Sequence, residues 1–514
     1  MSSRYDAVVM GAGHNGLTTA AYLAKSGKKV VVVEARDVIG GLAAGEEFHP
    51  GYRTAGVLHD TTAVRKWVID DLELRKHGLE TRKAPPPAFI PQMEGPGYLH
   101  FRDARAAQKE IGAHSKHDAE SYRQYRAFIR KISPVFRSVF DEAPADTDSL
   151  GLADLWGLGK KALSLRMLGK EDMMEIFRIV PMCVADWVNE WFESDVLRVA
   201  LAGPAIFNTM TGPWSPGSNL NLLMSEILVD SAVAGGPAAL TEALEKAARA
   251  QGVEIRTGSP VGHLKLAEGR IEGVILANGE ALEASLVAAS CHPKHLFLDL
   301  LPSRALPIQF EQNLLGYRSR GVVAKINLAL NGYPQIRCRP EFQPEILRTG
   351  ELIDDLERAF DPAKYRMFSV EPMLDIWVPT VENPALAPAG HHVFSIQAHF
   401  APYELEGGWK EARKEEFFDA AMSVLNRYVP GIAEYIVAAE VWSPVDLEEQ
   451  YGVKGGHLHH GEHAIDQLVV RPVPECPRYE TPFEGLYLCG SGSHPGGGIT
   501  CAPGALAARA MLSD

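Results

Sequence analysis

Residues 5–34 read YDAVVMGAGHNGLTTAAYLAKSGKKVVVVE. Tyr5–Met10 is a short apolar run that ends in the glycine turn Gly11-Ala-Gly13-His14-Asn15-Gly16. Leu17–Ser26 is built of helix formers and stops at Gly27, the position where a left-handed residue closes a helix. Val30–Val33 is apolar at every position, the mark of a parallel strand buried on both faces. The stretch therefore predicts strand, tight turn, helix and strand. In that context the G-x-G-x-x-G spacing is a dinucleotide-binding fingerprint. Gly11 allows the turn, Gly13 lets a pyrophosphate approach the backbone, and Gly16 lets the helix pack close to the sheet. The phosphates meet the helix N-terminus, where free N–H groups and the helix dipole favour an anion. Glu34 ends the second strand, placed to accept ribose hydroxyls. Its charge repels a 2′-phosphate, which disfavours NADP here. The fingerprint alone does not separate NAD from FAD.

Around this start lies a chain of 514 residues, with 51 Lys+Arg against 65 Asp+Glu and a net charge of −14. That length predicts two or three domains. At 46% hydrophobic and 23% charged the composition is that of a globular protein. An acidic chain without a basic run argues against a nucleic-acid partner. The six cysteines, Cys183, Cys291, Cys338, Cys476, Cys489 and Cys501, form no CxxC pair, which disfavours a zinc ribbon or a thioredoxin-like motif. His14 and Asn15 interrupt the apolar stretch at Ala7–Ala24, so it lacks a secretory core. No run approaches the roughly 20 apolar residues of a membrane span. A cytoplasmic location is expected.

Further along, residues 120–230 are helical in pattern. Leu240–Ala250 reads as a helix, and Val253–Thr257, Gly262–Leu266, Gly273–Ala277 and Leu286–Ala289 as strands. Turns are expected at Glu268-Gly269 and Asn278-Gly279. Val322–Leu330, Met373–Val378 and His392–His399 read as strands, and 410–429 as a helix. Gly485–Cys489 is a strand leading through a glycine loop to a last helix, Gly504–Leu512.

Glu34-Ala35-Arg36-x-x-x-Gly40-Gly41 extends the fingerprint. With it the chain resembles the glutathione-reductase-like FAD superfamily, in the branch of phytoene desaturases, retinol saturases and amine oxidases. The resemblance implies an α/β fold: a Rossmann FAD-binding domain with a discontinuous α+β substrate-binding domain. It implies that Ala35, Arg36, Gly40 and Gly41 lie along the pyrophosphate and adenosine. Many members carry Arg after the double glycine, where this chain has Leu42. Gly235-Gly236-Pro237 with Gly252–Val261 is similar to the second FAD segment, in which the backbone at Val261 meets the adenine. The tail Leu486–Thr500 resembles the final flavin-binding strand and loop, implying contacts from Gly490, Ser491, Gly498, Ile499 and Thr500. Amine oxidases usually have an acidic residue where Ser491 stands; the run His494-Pro-Gly-Gly-Gly498 is closer to phytoene desaturases. Glu371–Tyr403, Pro444–His460 and Tyr479–Gly504 look most like the branch of pyridine nucleotide-disulfide oxidoreductase domain protein 2. The implied domains are 1–68, 235–304 and 480–514 for FAD, and 69–234 and 305–479 for substrate.

Gly455-Gly-His457-Leu-His459-His460-Gly-Glu-His463 packs four histidines into one loop. A hydrogen-bonded loop, a substrate-facing acid/base site and a metal site compete; the metal reading is disfavoured because no helical His frame or Cys accompanies it. Similarity to relatives favours His460, then His459, as catalytic. His494 is expected to shape the flavin loop through a hydrogen bond. Cys501 is expected to fill space, although a helix N-terminus can activate a thiol. Trp187, Trp191, Phe192, Phe207 and Trp214 are expected to pack a core, and Trp377 has a similar claim in the substrate domain.

The expected activity is desaturation, saturation or oxidation of an apolar small molecule by noncovalent FAD. No second fingerprint for NAD(P)H is present, so oxygen or a quinone is the expected electron acceptor. Peripheral membrane contact is a further expected partner, and the oligomeric state is left open. Redox-neutral isomerisation or C–C hydrolysis using the His loop is the enzymatic rival. An FAD-bearing interaction protein is the non-enzymatic one.

Overall fold

The computed structural model describes residues 3–145, 152–302 and 305–513. A five-stranded parallel sheet organises the N-terminal start, in the order Glu254–Arg256, Val30–Val33, Ala7–Met10, Leu286–Ala289, Leu486–Leu488. Its central strands are buried at every position, as their unbroken apolar runs require. The helix His14–Lys25 covers one face with Leu17, Ala20, Ala21 and Ala24. It starts at His14, directly after the turn, rather than at Leu17. Its small residues admit the last helix, Ala502–Ser513, at very short range: a Cβ on Gly504 would sit 2.2 Å from the Asn15 carbonyl oxygen. The strands Val261–Ala267 and Arg270–Leu276 form a hairpin through Glu268-Gly269, both left-handed. Ala281–Glu283 joins that hairpin after the turn at Asn278-Gly279.

A seven-stranded mixed sheet makes the second layer system. Its order is Ile436–Trp442, Val323–Leu330, His392–His399, Met373–Trp377, Ile346–Arg348, Ala88–Ile90, Tyr98–His100. Alternation along these strands gives the sheet two different faces. Ala324, Ile326, Leu328, Phe394 and Ile396 pack with Phe417, Ala421 and Leu425 of the helix Glu411–Tyr428. The opposite face carries Lys325 and Asn327, paired in register with Gln397 and Ser395, while Asp375 pairs Arg348. Both faces are buried, so the polar face must be satisfied internally. The strands at 88–90, 98–100, 346–348 and 436–442 are absent from the sequence reading. Three of the four have only three residues, too few to show a period.

Helices dominate the described residues from Ala104 to Ile227. The longest, Lys116–Phe140, buries Tyr122, Tyr125, Ile129, Ile132 and Phe136 at three- and four-residue spacing. Tyr125 is ringed by Trp187, Trp191 and Phe192, the expected aromatic core. Trp214 departs from that expectation: it is exposed, and its indole N–H donates to Asp354. The expected boundary residue Arg304 and both chain ends lie outside the described residues. No helix among the described residues is long and apolar enough to cross a membrane.

Candidate functional site

The glycine turn separates three physical demands. Gly11 has a φ of +96°, and a Cβ there would strike Ser290 Oγ at 2.4 Å. A Cβ on Gly16 would lie 2.0 Å from the Gly11 carbonyl oxygen. A Cβ on Gly13 would meet nothing within 4 Å. Open space thus faces Gly13, the N-cap of a helix that has no side-chain cap. The first intrahelical bond comes from Leu17 N–H to the Gly13 carbonyl, which leaves the N–H groups of residues 14–16 without a helical acceptor. A pyrophosphate fits those donors and that space.

The remaining fingerprint residues converge on this crevice. Gly40 bridges to Gly13 and donates its N–H to the Ala12 carbonyl; a Cβ on Gly41 would touch Gly13 Cα at 3.4 Å. Buried Glu34 accepts from Ala12 N–H at 2.7 Å and from Arg36 N–H at 3.0 Å. Each carboxylate oxygen retains a lone pair for a further donor. Ala35 is exposed beside them. Arg36 pairs with Glu46 and lies over the Tyr451 ring, while its Nη1 is buried without a partner. Gly258 and Ser259 bond the Arg36 and Glu34 carbonyls, which carries Val261 alongside.

The C-terminal loop closes on the same crevice. A Cβ on Gly490 would collide with the Ser290 carbonyl at 2.3 Å. Asn15 donates to Ser491 Oγ at 3.2 Å, and Arg65 N–H donates to the Thr500 carbonyl. Burial pushes the His14 imidazole down to about 4, against the opposing pull of the Gly498 backbone. His494 Nε2 donates to the Val139 carbonyl and its ring stacks on Phe140, the loop-shaping role expected of it. Burial raises the Cys501 thiol to about 12, so the helix terminus does not activate it.

A cavity of about 270 Å³ opens beside this loop. Gly497, Gly498, Ile499 and Thr500 form one wall. Phe207, Leu201 and Trp377 add apolar surface, and Arg82, held between Glu345 and Glu382, lines it too. The His loop divides across this boundary. His459 and His463 line the cavity, stacked at 4.6 Å with an interplanar angle of 21°. His463 Nε2 accepts from Gly497 N–H, whereas His459 Nδ1 is buried without a partner. Burial, then neighbouring imidazoles, holds both well below the usual imidazole range. His457 Nδ1 accepts from the N–H of His459 and of Gly461, so it shapes the loop.

His460 is not in the cavity wall. Its left-handed backbone, φ +54°, turns the ring to His292, 5.6 Å away. Burial, then His14, pushes it down to about 4. Of the two histidines expected to be catalytic, His459 lines the cavity, while His460 lies beside His292 and His14. Consecutive residues in a tight turn point to different surroundings.

The sequence reading missed Lys325. It is 2% exposed, and its ammonium donates to His59 Nε2 at 2.6 Å and Ser395 Oγ at 2.7 Å. Burial pulls its pKa down to about 7, against the opposing pull of Glu440 and Asp375. His59 lines the cavity next to Trp377. The available signal was a lone lysine inside the apolar strand VVAKINLAL, a residue type almost never fully buried without a role.

Comparison with known proteins agrees with this fold. Residues 9–64 match the NAD(P)-binding Rossmann-like domain, and residues 102–509 match the flavin containing amine oxidoreductase family. The chain is 33% identical to rat pyridine nucleotide-disulfide oxidoreductase domain-containing protein 2, over 100% of this chain and 94% of the relative. It is 28% identical to a limonene dehydrogenase polypeptide of Castellaniella defragrans, over 99% and 94%. Among solved structures, an oxidoreductase from Methanosarcina mazei has the same fold, with a TM-score of 0.60 at 16% identity, covering 99% of this chain and 100% of that one. The chain belongs to the flavin containing amine oxidoreductase family, within the phytoene desaturase and amine oxidase superfamily.

Proposed function

We propose that this chain binds FAD and uses it to oxidise or reduce a C–H or C–C bond of an apolar small molecule held in the 270 Å³ cavity. One observation carries the reading: the loop that ends in the Gly497–Thr500 wall of the cavity is tied at Ser491 to Asn15 of the phosphate-binding turn. Gly11, Gly13, His14, Asn15, Gly16, Glu34, Ala35, Arg36, Gly40, Gly41 and Val261 would hold the dinucleotide end. Gly490, Ser491, Gly498, Ile499 and Thr500 would hold the ring end. When bound, the flavin supplies hydride acceptance or donation.

The protein's own groups do the rest. Phe207, Leu201 and Trp377 exclude water from the reacting carbon. His459 presents a neutral imidazole with an unpartnered Nδ1 in the cavity wall, a group that would take a proton as positive charge leaves the substrate beside it. Lys325, whose pKa burial pulls down to about 7, reaches the cavity through His59. His459 is thus the catalytic candidate, with His460 on the cofactor side. The name limonene dehydrogenase, borne by a full-length relative, supports an apolar hydrocarbon class. Oxygen or a quinone would take the electrons. The FAD unit would comprise about 1–68, 235–304 and 480–514, with the substrate unit between.

Anaerobic addition of terpenoid and other apolar candidates to the FAD-loaded protein tests this. A true substrate bleaches the flavin, and an acceptor restores it. Product formation with no bleaching and no acceptor would instead establish redox-neutral chemistry.

A further inference from the structure

Arg471 is fully buried, at 0% exposure. Its guanidinium donates to Tyr317 Oη at 2.7 Å and to the carbonyls of Gly461 at 3.2 Å, His459 at 3.4 Å and Gly492 at 3.4 Å. All are uncharged. Its Nη1 is buried with no partner, and no ion pair joins it to a carboxylate among the described residues. The adjacent acid, Glu462, is spent elsewhere: its carboxylate accepts from Arg320 at 2.6 and 2.9 Å and from Arg318 at 3.3 Å.

Tyr317 fixes the charge in place. Its hydroxyl accepts from Arg471 and donates to the His460 carbonyl at 2.8 Å. Gly461 is required beneath it, because a Cβ there would lie 1.9 Å from that hydroxyl oxygen. Imidazoles surround the guanidinium, and its charge adds to burial in keeping His457, His459, His460 and His494 unprotonated. None of them is a counter-charge. An isolated buried cation is costly, and hydrogen bonds to neutral oxygens do not replace an anion. The charge also sits against the cofactor loop: it bonds the Gly492 carbonyl, and a Cβ on Gly496 would come within 2.9 Å of Nη1.

We propose that Arg471 is the fixed positive charge of the cofactor site, and that its counter-anion is an anionic group of the bound flavin dinucleotide itself. This rests on the FAD reading above. Two sources of that charge exist, the pyrophosphate and the ring, which becomes anionic when a nucleophile adds to it or when it is reduced. Arg471 is a positioning residue: it acts through charge behind the loop.

Arg471→Gln removes the charge but keeps hydrogen-bond donors, and Arg471→Lys keeps the charge. Both are compared with wild type for FAD dissociation constant and, in the FAD-loaded protein, for sulfite dissociation constant. Sulfite adds through its sulfur lone pair to the flavin ring and leaves the ring anionic, with no substrate involved. If the pyrophosphate is the partner, Arg471→Gln weakens FAD binding at least tenfold. If the ring is the partner, FAD affinity holds and sulfite binds at least tenfold more weakly. In either case Arg471→Lys stays near wild type. Equal behaviour of the two variants, or a fall in melting temperature with both constants unchanged, would overturn the proposal and leave Arg471 as a tie between carbonyls. Should neither variant fold, wild type still decides: sulfite bound no more tightly than by free FAD, with riboflavin bound as well as FAD, overturns it. Absence of FAD binding by wild type would refute the underlying reading instead.

Discussion

Lys325 makes a quantitative prediction. Its ordinary pKa is 10.5 and the fold holds it at about 7, chiefly through burial. Each decade of displacement is worth about 1.4 kcal/mol between the two protonation states. Below pH 7 the lysine is protonated in both folded and unfolded chains, and the folded state bears the full cost, on the order of 5 kcal/mol. As pH rises from 7 towards 10.5, the folded chain releases its proton while the unfolded chain keeps it. Stability therefore rises with pH in that window. Between pH 7 and 9 the gain is on the order of 2 kcal/mol. Lys325→Met lacks this term, although it strands His59 Nε2 and Ser395 Oγ at a cost of roughly 1–3 kcal/mol. That cost does not depend on pH in this range, so the difference between the two proteins isolates the lysine. For a chain of this size, 2 kcal/mol corresponds to roughly 2 °C of melting temperature. Denaturation of wild type and Lys325→Met at pH 7, 8 and 9 should show the wild type gaining on the variant at each step. Parallel pH curves would refute the argument and return Lys325 to an ordinary pKa.

Further outcomes follow from the site. Gly13→Glu should give colourless protein, because its side chain enters the space that faces the helix N-terminus; full FAD content in that variant would show the crevice to be misassigned. Glu34→Ala should raise the FAD dissociation constant roughly ten- to a hundredfold, the worth of charge-assisted hydrogen bonds of about 1.5–3 kcal/mol, as read by fluorescence titration. His459→Ala should lower turnover roughly 10²–10⁴-fold with FAD retained, and His460→Ala should lower it less; the reverse order in steady-state assays would restore His460 as the catalytic group. NADH and NADPH should reduce the flavin slowly or not at all in stopped-flow measurements, since the single fingerprint is taken by FAD.

The stretch at 5–34 determined the Rossmann start by itself. Strand, glycine turn and helix are local, and each glycine answers a demand that is set within a few residues or by one adjacent strand. The convergence of Glu34, Gly40, Val261 and Gly490–Thr500 was legible only because these segments resemble a known family, since no local signal says that residue 491 meets residue 15. The cavity was beyond the sequence altogether. Lys325 and Gln397 come from two strands and Asp375 and Trp377 from a third, and only the register of the seven-stranded sheet puts them on one face. The His loop shows the same limit at closer range. Composition marked four histidines within one loop, but a left-handed residue at 460 and a glycine at 461 turn one ring to the cavity and its neighbour away. Arg471 needed the most context: its lack of a counter-charge is a property of everything packed around it. Sequence patterns fix what neighbours along the chain do, whereas burial and charge balance depend on which distant segments tertiary packing brings together.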